Sequence, residues 1–411
     1  MTPLGFSLLT VAAWAVSLAV LSARTELLVA VLPLALVVAR GARRRSAPDY
    51  TIAYEVTTDR VVEGDPIRVT ITVTARSAVP LLEVQETGRH RALVSLRSGQ
   101  TVHLRYEVPG VRGVHQFGTV VTRARDRFGV RAWEQRHVER TIVRVFPRLV
   151  PVRSLPHPAR TQTSVGDYVS RALGDGIEPG DVREFVPGDR IRHVNWRASL
   201  RHATLYVTER HRERNADIVL MLDTLADVGA APDSALDHGI RAAASIAAAY
   251  LARKDRVGLI AYGGTIDWVK PGAGRVQYER LADTMVRTDV VFTYVSKDLA
   301  FVPPRVLPPG ALVIAVTPLL DPRFTKAALD LAARGFDLVV VVVSAVDVTR
   351  AVVPASAVDD LALRLWTIER RAQADEFRRH GIVVVEWHPA DPLEVALRAQ
   401  PKRRPQTVAA R

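Results

Sequence analysis

A chain of 411 residues, 48% hydrophobic and 24% charged, is long enough for two or three domains. It contains no cysteine, which excludes disulfides, thiolate metal sites and thiol nucleophiles and suits a reducing compartment. The formal net charge of +13 is almost entirely arginine, since five of the 56 basic residues are lysine; this bias suggests GC-rich coding of the actinobacterial kind and says little about chemistry.

Leu4–Ala23 is uncharged and mostly apolar, close to the ~20 residues that cross a bilayer. After Arg24-Thr25-Glu26 a second apolar run covers Leu27–Ala39. It is short and holds Pro33, but tilt or snorkelling can extend it. Arg40 and Arg43–Arg45 follow directly. Arginines after an apolar span mark the cytoplasmic side and attract anionic lipid. Residues 1–45 therefore read as a transmembrane helical hairpin with both termini in the cytoplasm, making the chain a multi-pass membrane protein. A cleaved signal peptide is the rival, although it needs a basic start and a second span follows. A buried helical hairpin of a soluble protein is the other.

Residues 50–147 alternate apolar and polar residues with period two, as in Ile67–Val73 and Val102–Val108. Gly64-Asp65-Pro66, Ser98-Gly99 and Pro109-Gly110 punctuate them. Short strands with turns at this spacing predict a small antiparallel β-sandwich. Residues 148–180, rich in Pro, Ser, Thr and Gly, read as a linker.

The segment from Gly180 to Arg201 mixes acids, bases, a Pro187-Gly188-Asp189 turn and Trp196. No core strand or amphipathic helix has that composition. Pro fixes φ, Gly permits any φ and Asp bonds its own backbone, so the tripeptide predicts a tight turn. Forked bonds between guanidinium and carboxylate groups can hold such a segment in one shape. Arg183, Asp189, Arg192 and Trp196 are expected to form one packed, charge-paired unit between the two soluble domains. A solvated charged loop is the plainer reading.

Strands then alternate with helices over residues 215–400. Ile218–Leu222, Val257–Tyr262, Ala311–Thr317, Leu338–Val343 and Ile382–Trp387 are apolar runs, as a parallel sheet covered on both faces requires. Residues 235–252, 275–287, 324–334 and 361–380 show helical patterning. The expectation is a doubly wound α/β domain, followed by a basic tail over 401–411.

The segment 180–201 resembles the signature of a bacterial family known as domain of unknown function fifty-eight. Asp181, Arg183, Glu184, Pro187, Gly188, Asp189, Arg192, Trp196, Ser199 and Arg201 match it as they stand, with Phe185 for Tyr, Arg197 for Lys and Asn195 for Asp. Asp126–Val130 resembles a second landmark, usually Asp-Pro-Phe-Gly-Leu, and a plain turn before a strand explains it equally well. The resemblance implies a membrane hairpin, a β-rich region, a linker and signature segment over 148–214 and a von Willebrand factor A-like domain. It further implies co-operation with a MoxR-type AAA+ ATPase that remodels client proteins. The von Willebrand type A fold often binds a divalent metal through Asp-x-Ser-x-Ser after its first strand. Here that loop is Asp223-Thr224-Leu225-Ala226-Asp227. Asp223, Asp227 and Asp321 would be the oxygen ligands of a degraded Mg²⁺ site, because Leu225 offers no ligand atom. The alternative is that Asp223 and Asp321 cap helices and satisfy loop amides.

Phosphate-loop, Gly-x-Ser-x-Gly and His-Glu-x-x-His motifs are absent from the sequence. The basic residues between Arg183 and Arg214 are interleaved with acids and lack an aromatic ladder, so nucleic acid is not expected. The sequence thus predicts a non-enzymatic, membrane-anchored cytoplasmic adaptor without a cofactor. An enzyme or ligand sensor centred on Asp189, and a structural cell-envelope protein, are the alternatives.

Overall fold

A computed structural model of the chain describes residues 2–22, 29, 32–33, 35–37, 39, 46–156, 162–186, 191, 194–202, 204–295, 297–352 and 356–398. Two compact units emerge, Met1–Val145 and Phe146–Arg411.

The first unit begins with α1, Pro3–Leu21. Thr2 caps it, its hydroxyl accepting from Gly5 N at 3.0 Å, and Pro3 occupies the first turn, where its missing N–H costs nothing. The helix is apolar around its whole circumference and mostly exposed. Among the described residues it is the one helix long and apolar enough to cross a membrane. The second expected span, Leu27–Ala39, falls mostly outside the described residues. The landmark loop Asp126–Val130 receives the start of α1: Thr2 N donates to Val130 O at 3.0 Å and the Thr2 hydroxyl donates to Gly129 O. A Cβ on Gly5 would lie 2.4 Å from Val130 O, so glycine permits this approach.

Eight strands follow: β1 Tyr50–Val56, β2 Arg60–Val62, β3 Pro66–Ala75, β4 Val79–Glu86, β5 His90–Leu96, β6 Thr101–Pro109, β7 Gly113–Arg125 and β8 Ala132–Phe146. They form antiparallel sheets ordered β1-β3-β6 and β2-β8-β7-β4-β5. The period-two pattern decides which face is inside. Ile67, Val69, Ile71 and Val73 of β3 are buried with Leu82, Val84, Val120, Ala124 and Val143 of the other sheet in one shared core. Glu86 is buried there too; it accepts from Tyr54 Oη at 3.0 Å and from Gly118 N at 3.1 Å. Burial, and next the Glu86 charge, push the Tyr54 phenol far up. Gly118 forms a bulge at φ +92°, where a Cβ would strike Glu139 O.

In the second unit β9, Gln162–Glu184, pairs antiparallel with β10, Tyr206–Asn215, with several register shifts. Within the stretch read as a linker, residues 162–180 are strand: pairing with β10 draws Ser- and Gly-containing chain into a conformation that its composition argues against. α2, Trp196–His202, lies between them. A six-stranded sheet is then built from β11 Asp217–Thr224, β12 Arg256–Gly263, β13 Ile266–Gly272, β14 Leu312–Thr317, β15 Asp337–Val343 and β16 Val383–Trp387, ordered β13-β12-β11-β14-β15-β16. All neighbours are parallel except the edge strand β13. The helices are α3 Ala235–Ala252, α4 Gly274–Arg287, α5 Pro322–Ala333, α6 Val346–Val352, α7 Ala357–Arg379 and α8 Leu393–Arg398.

Alternate residues of β11 serve two cores. Ile218, Leu220 and Leu222 pack with α3, α4 and α8, while Val219 and Met221 pack with α5 and α7. Helices therefore cover both faces, which is why the strands are continuously apolar. Each fully buried Leu or Ile in these rows stabilises the unit by roughly 1.5–3 kcal/mol.

Candidate functional site

In the second unit β11 is followed by β12 on one side, and the chain later returns as β14 on the other. The carboxyl ends of β11 and β14 thus form the point where strand order reverses, the place at which open α/β sheets bind ligands. Parallel register aligns Leu222 with Val316 and brings the ends of both strands together.

Asp223 is the penultimate residue of β11 and is buried. Its Oδ2 accepts from Thr317 Oγ1 at 2.6 Å and its Oδ1 from Leu225 N at 3.1 Å. Burial pushes its carboxyl up to about 7; the bonds from Thr317 and Leu225 oppose the shift, nearby Asp321 adds to it, and Arg323 opposes it. Thr317 Oγ1 in turn accepts from Leu319 N at 2.9 Å. Leu319 sits at φ +53°, strained for a residue with a Cβ, and Arg370 donates to its carbonyl.

Asp321 caps α5 by accepting from Arg323 N at 2.9 Å. The same carboxylate takes a forked bond from the Arg323 guanidinium, Nε to Oδ1 at 2.9 Å and Nη2 to Oδ2 at 2.6 Å. The side-chain bond from Arg323 holds Asp321 below the usual carboxylate range, and the same bond raises Arg323. Asp227 is engaged elsewhere: it accepts from Val228 N and Leu236 N, both at 2.8 Å, at the start of α3.

The three proposed metal ligands are therefore not brought together: Asp321 lies near Asp223, while Asp227 is bonded at the start of α3. Among the described residues no group of three or more His, Asp or Glu is placed to hold a metal ion. Arg323 supplies the positive charge beside Asp321, and Leu225 turns into the core. The residues present do not fit a Mg²⁺ shell. The alternative reading describes both residues: Asp321 caps a helix and Asp223 accepts from the loop amide of Leu225.

Arg323 also reaches outward, donating from Nη1 to Thr293 O at 2.7 Å. Tyr262 Oη donates to Lys297 O at 2.7 Å. These bonds tie the 289–301 loop to the sheet edge. The loop carries Phe292 and Tyr294 at 74% and 88% exposure, their rings 4.9 Å apart and edge to face, with Val291, Val295 and Phe301 also exposed. Thr317, Arg323 and this loop were missed in the sequence; the signal was Pro322 after Asp321, which marks a helix start.

The signature segment is only partly described. Pro187, Gly188, Asp189 and Arg192 lie outside the described residues, and Asp181 is placed only as backbone in β9. Arg183 Nη1 donates to Glu184 O at 2.9 Å, with Glu184 exposed. Phe185 N donates to Leu205 O at 2.7 Å, and Val194 bridges Val207. Asn195 caps α2, its Oδ1 accepting from Ala198 N at 3.0 Å. A carboxamide oxygen does this as well as a carboxylate, which accounts for Asn in place of Asp. Ser199 links α2 to β10, donating to Asn195 O at 2.8 Å and accepting from Tyr206 N at 2.9 Å. Trp196 is 61% exposed, and two of the partners expected to pack with it, Asp189 and Arg192, lie outside the described residues. A seven-residue helix tied down through Ser199 turns Trp196, Arg197 and Arg201 outward.

Residues 181–362 match the model of a family described as Protein of unknown function DUF58. An uncharacterized protein of Mycobacterium tuberculosis (strain H37Rv) is 32% identical over 126 residues, 30% of this chain and 38% of that protein. One of Mycobacterium bovis gives the same values, 32% identity over 30% of this chain and 38% of its own length. The chain thus spans well under half of the curated relatives it matches. Among solved structures, β-glucosidases from Listeria innocua and Erythrobacter marinus align at TM-scores of 0.13 and 0.13, with 13% and 17% identity over 22% of this chain and 16% of theirs; likeness at that level carries no argument.

Proposed function

We propose that the chain is a membrane-anchored adaptor whose α/β unit, of von Willebrand factor A type, presents the 289–301 loop to another protein. The observation that carries this reading is the pair Phe292 and Tyr294, exposed yet held to the strand-order reversal by Arg323 and Tyr262. Exposed aromatic rings on a fixed backbone are what protein interfaces use as anchors. The carboxylates beneath are spent on Thr317 and Arg323. The partner, on the family resemblance, is a MoxR-type AAA+ ATPase acting on client proteins. The apolar α1 and the arginines at 40 and 43–45 support a cell-membrane location with the large units in the cytoplasm.

Calorimetric titration of the full chain in detergent with that ATPase tests the proposal. Binding that Phe292→Ser with Tyr294→Ser weakens at least tenfold is expected. Absence of binding, or binding indifferent to both changes, refutes it. The buried Asp223 titrating near neutrality favours a second reading, a small-ligand sensor or enzyme at the sheet edge. Turnover or ligand binding abolished by Asp223→Asn would select that reading instead.

A further inference from the structure

Helix α7 has two apolar faces, and its own unit uses one. Leu363, Ala374 and Phe377 are buried against the sheet. On the opposite side Val358, Leu361, Leu365 and Ile368 are 77%, 58%, 61% and 62% exposed. Their spacing is three, four and three residues, and exposed Ala372 continues it four further on. At about 100° per residue these five side chains fall within a stripe on the order of 80° wide, diametrically across from Leu363, Arg370 and Phe377. Three-four spacing is the a/d seam of a two-stranded coiled coil, narrower than the stripe by which a helix packs on a globular core.

The flanks say what covers it. With Val358 at position a, the g positions are Arg364 and Arg371 and the following e positions are Glu369 and Glu376. In a parallel pair each g residue meets the e residue five positions on in the other helix. Arg364 would face Glu369, and Arg371 would face Glu376, twice over. Antiparallel pairing sets g against g and e against e, arginine on arginine and glutamate on glutamate. Glu369 lies 3.2 Å from Arg370 Nη2 on its own helix, and its side chain is still 61% exposed.

We infer that the exposed a/d stripe of α7 is a homodimerisation surface, taking α7 of a second copy in parallel about a twofold axis. Packing on its own unit already holds the helix, so the seam need not be long enough to fold it. Ser356 fixes the start, its hydroxyl accepting from Asp359 N at 3.1 Å.

The cysteine-free chain makes the test direct. Leu361→Cys and Ile368→Cys, each alone in the full chain in detergent micelles, are oxidised with copper phenanthroline. A parallel pair brings each residue to its own counterpart, so both variants should run mainly as disulfide dimers. Arg275→Cys on α4, 92% exposed, should remain monomeric. Arg364→Glu with Arg371→Glu should lower cross-linking at 361 at least threefold; adding Glu369→Arg and Glu376→Arg should restore it. Cross-linking at one seam position only marks an antiparallel pair and overturns the inference. So does absence of cross-linking at both positions, whether lipid or another protein then covers the face, and so does a four-residue charge swap that fails to restore it.

Discussion

Asp223 makes stability depend on pH in the opposite sense from an ordinary paired carboxylate. Its folded value is about 7 against 3.8 for the open chain, because burial penalises the charge. The folded state therefore binds the proton more tightly, and stability falls as pH rises from one value to the other. Below the lower value the contribution is fully present; above the upper one it is gone. Between pH 5 and pH 8 this single group should remove about 2.5 kcal/mol, from 1.36 kcal/mol per pKa unit. Asp223→Asn keeps an oxygen for Leu225 N and an amide to meet Thr317 Oγ1, but cannot ionise. The difference in unfolding free energy between the two proteins should thus shift by about 2.5 kcal/mol between those pH values, in favour of the variant at pH 8. In a calorimetric melt of the full chain in detergent the gap in Tm should change by roughly 5–10 °C. Parallel pH profiles of the two proteins would refute the assignment.

Four further outcomes are expected. Tyr54→Phe strips a donor from buried Glu86 and should cost about 1–3 kcal/mol in urea unfolding; an unchanged midpoint would show that Gly118 N and the Arg89 guanidinium, 3.7 Å from Glu86 Oε1, suffice. Asp321→Ala removes the cap of α5 and the partner of Arg323; it should cost about 1 kcal/mol and increase amide exchange in the 289–301 loop, and unchanged exchange would count against the tether. Gly118→Ala places a Cβ against Glu139 O at positive φ and should lower stability by at least about 2 kcal/mol, read as a lower Tm. A reporter enzyme fused after Arg411 should be active in its cytoplasmic form; activity of an extracytoplasmic form would reverse the topology.

Regular elements were legible where local pattern and tertiary need agree. Residues 235–252, read as a helix from their apolar face, are α3, Ala235–Ala252. The buried strands were found to within a residue or two because parallel burial demands uninterrupted apolar runs. α7 begins at Ala357, ahead of the expected Leu361, because Ser356 caps it through Asp359. Edge strand β13 was illegible: Asp267, Lys270 and Pro271 argue against a strand, and pairing with β12 makes it one. At the site, Asp223 and Asp321 could be singled out but their use could not. Thr317 meets Asp223 across 94 residues of sequence, and only the β11–β14 register reveals it. Trp196 shows the converse: a lone aromatic amid charges suggests an anchor, but the tethering of α2 through Ser199 faces it to solvent.

The attachment of α1 also constrains the path of the chain. Its first turn is held by Gly129 and Val130 of the same unit that begins its sheet at Tyr50. The helix is 19 residues long, about 28 Å at 1.5 Å per residue. On the membrane reading proposed above, its far end is delivered to the opposite leaflet while Tyr50 stays with the near one. On that reading a single crossing before Tyr50 would conflict with the bonds from Thr2 to Gly129 and Val130. The same short junction couples the anchor mechanically: with Thr2 bonded directly to the loop, a tilt of the helix in the lipid would be felt at Asp126–Val130 as a torque, without slack to absorb it.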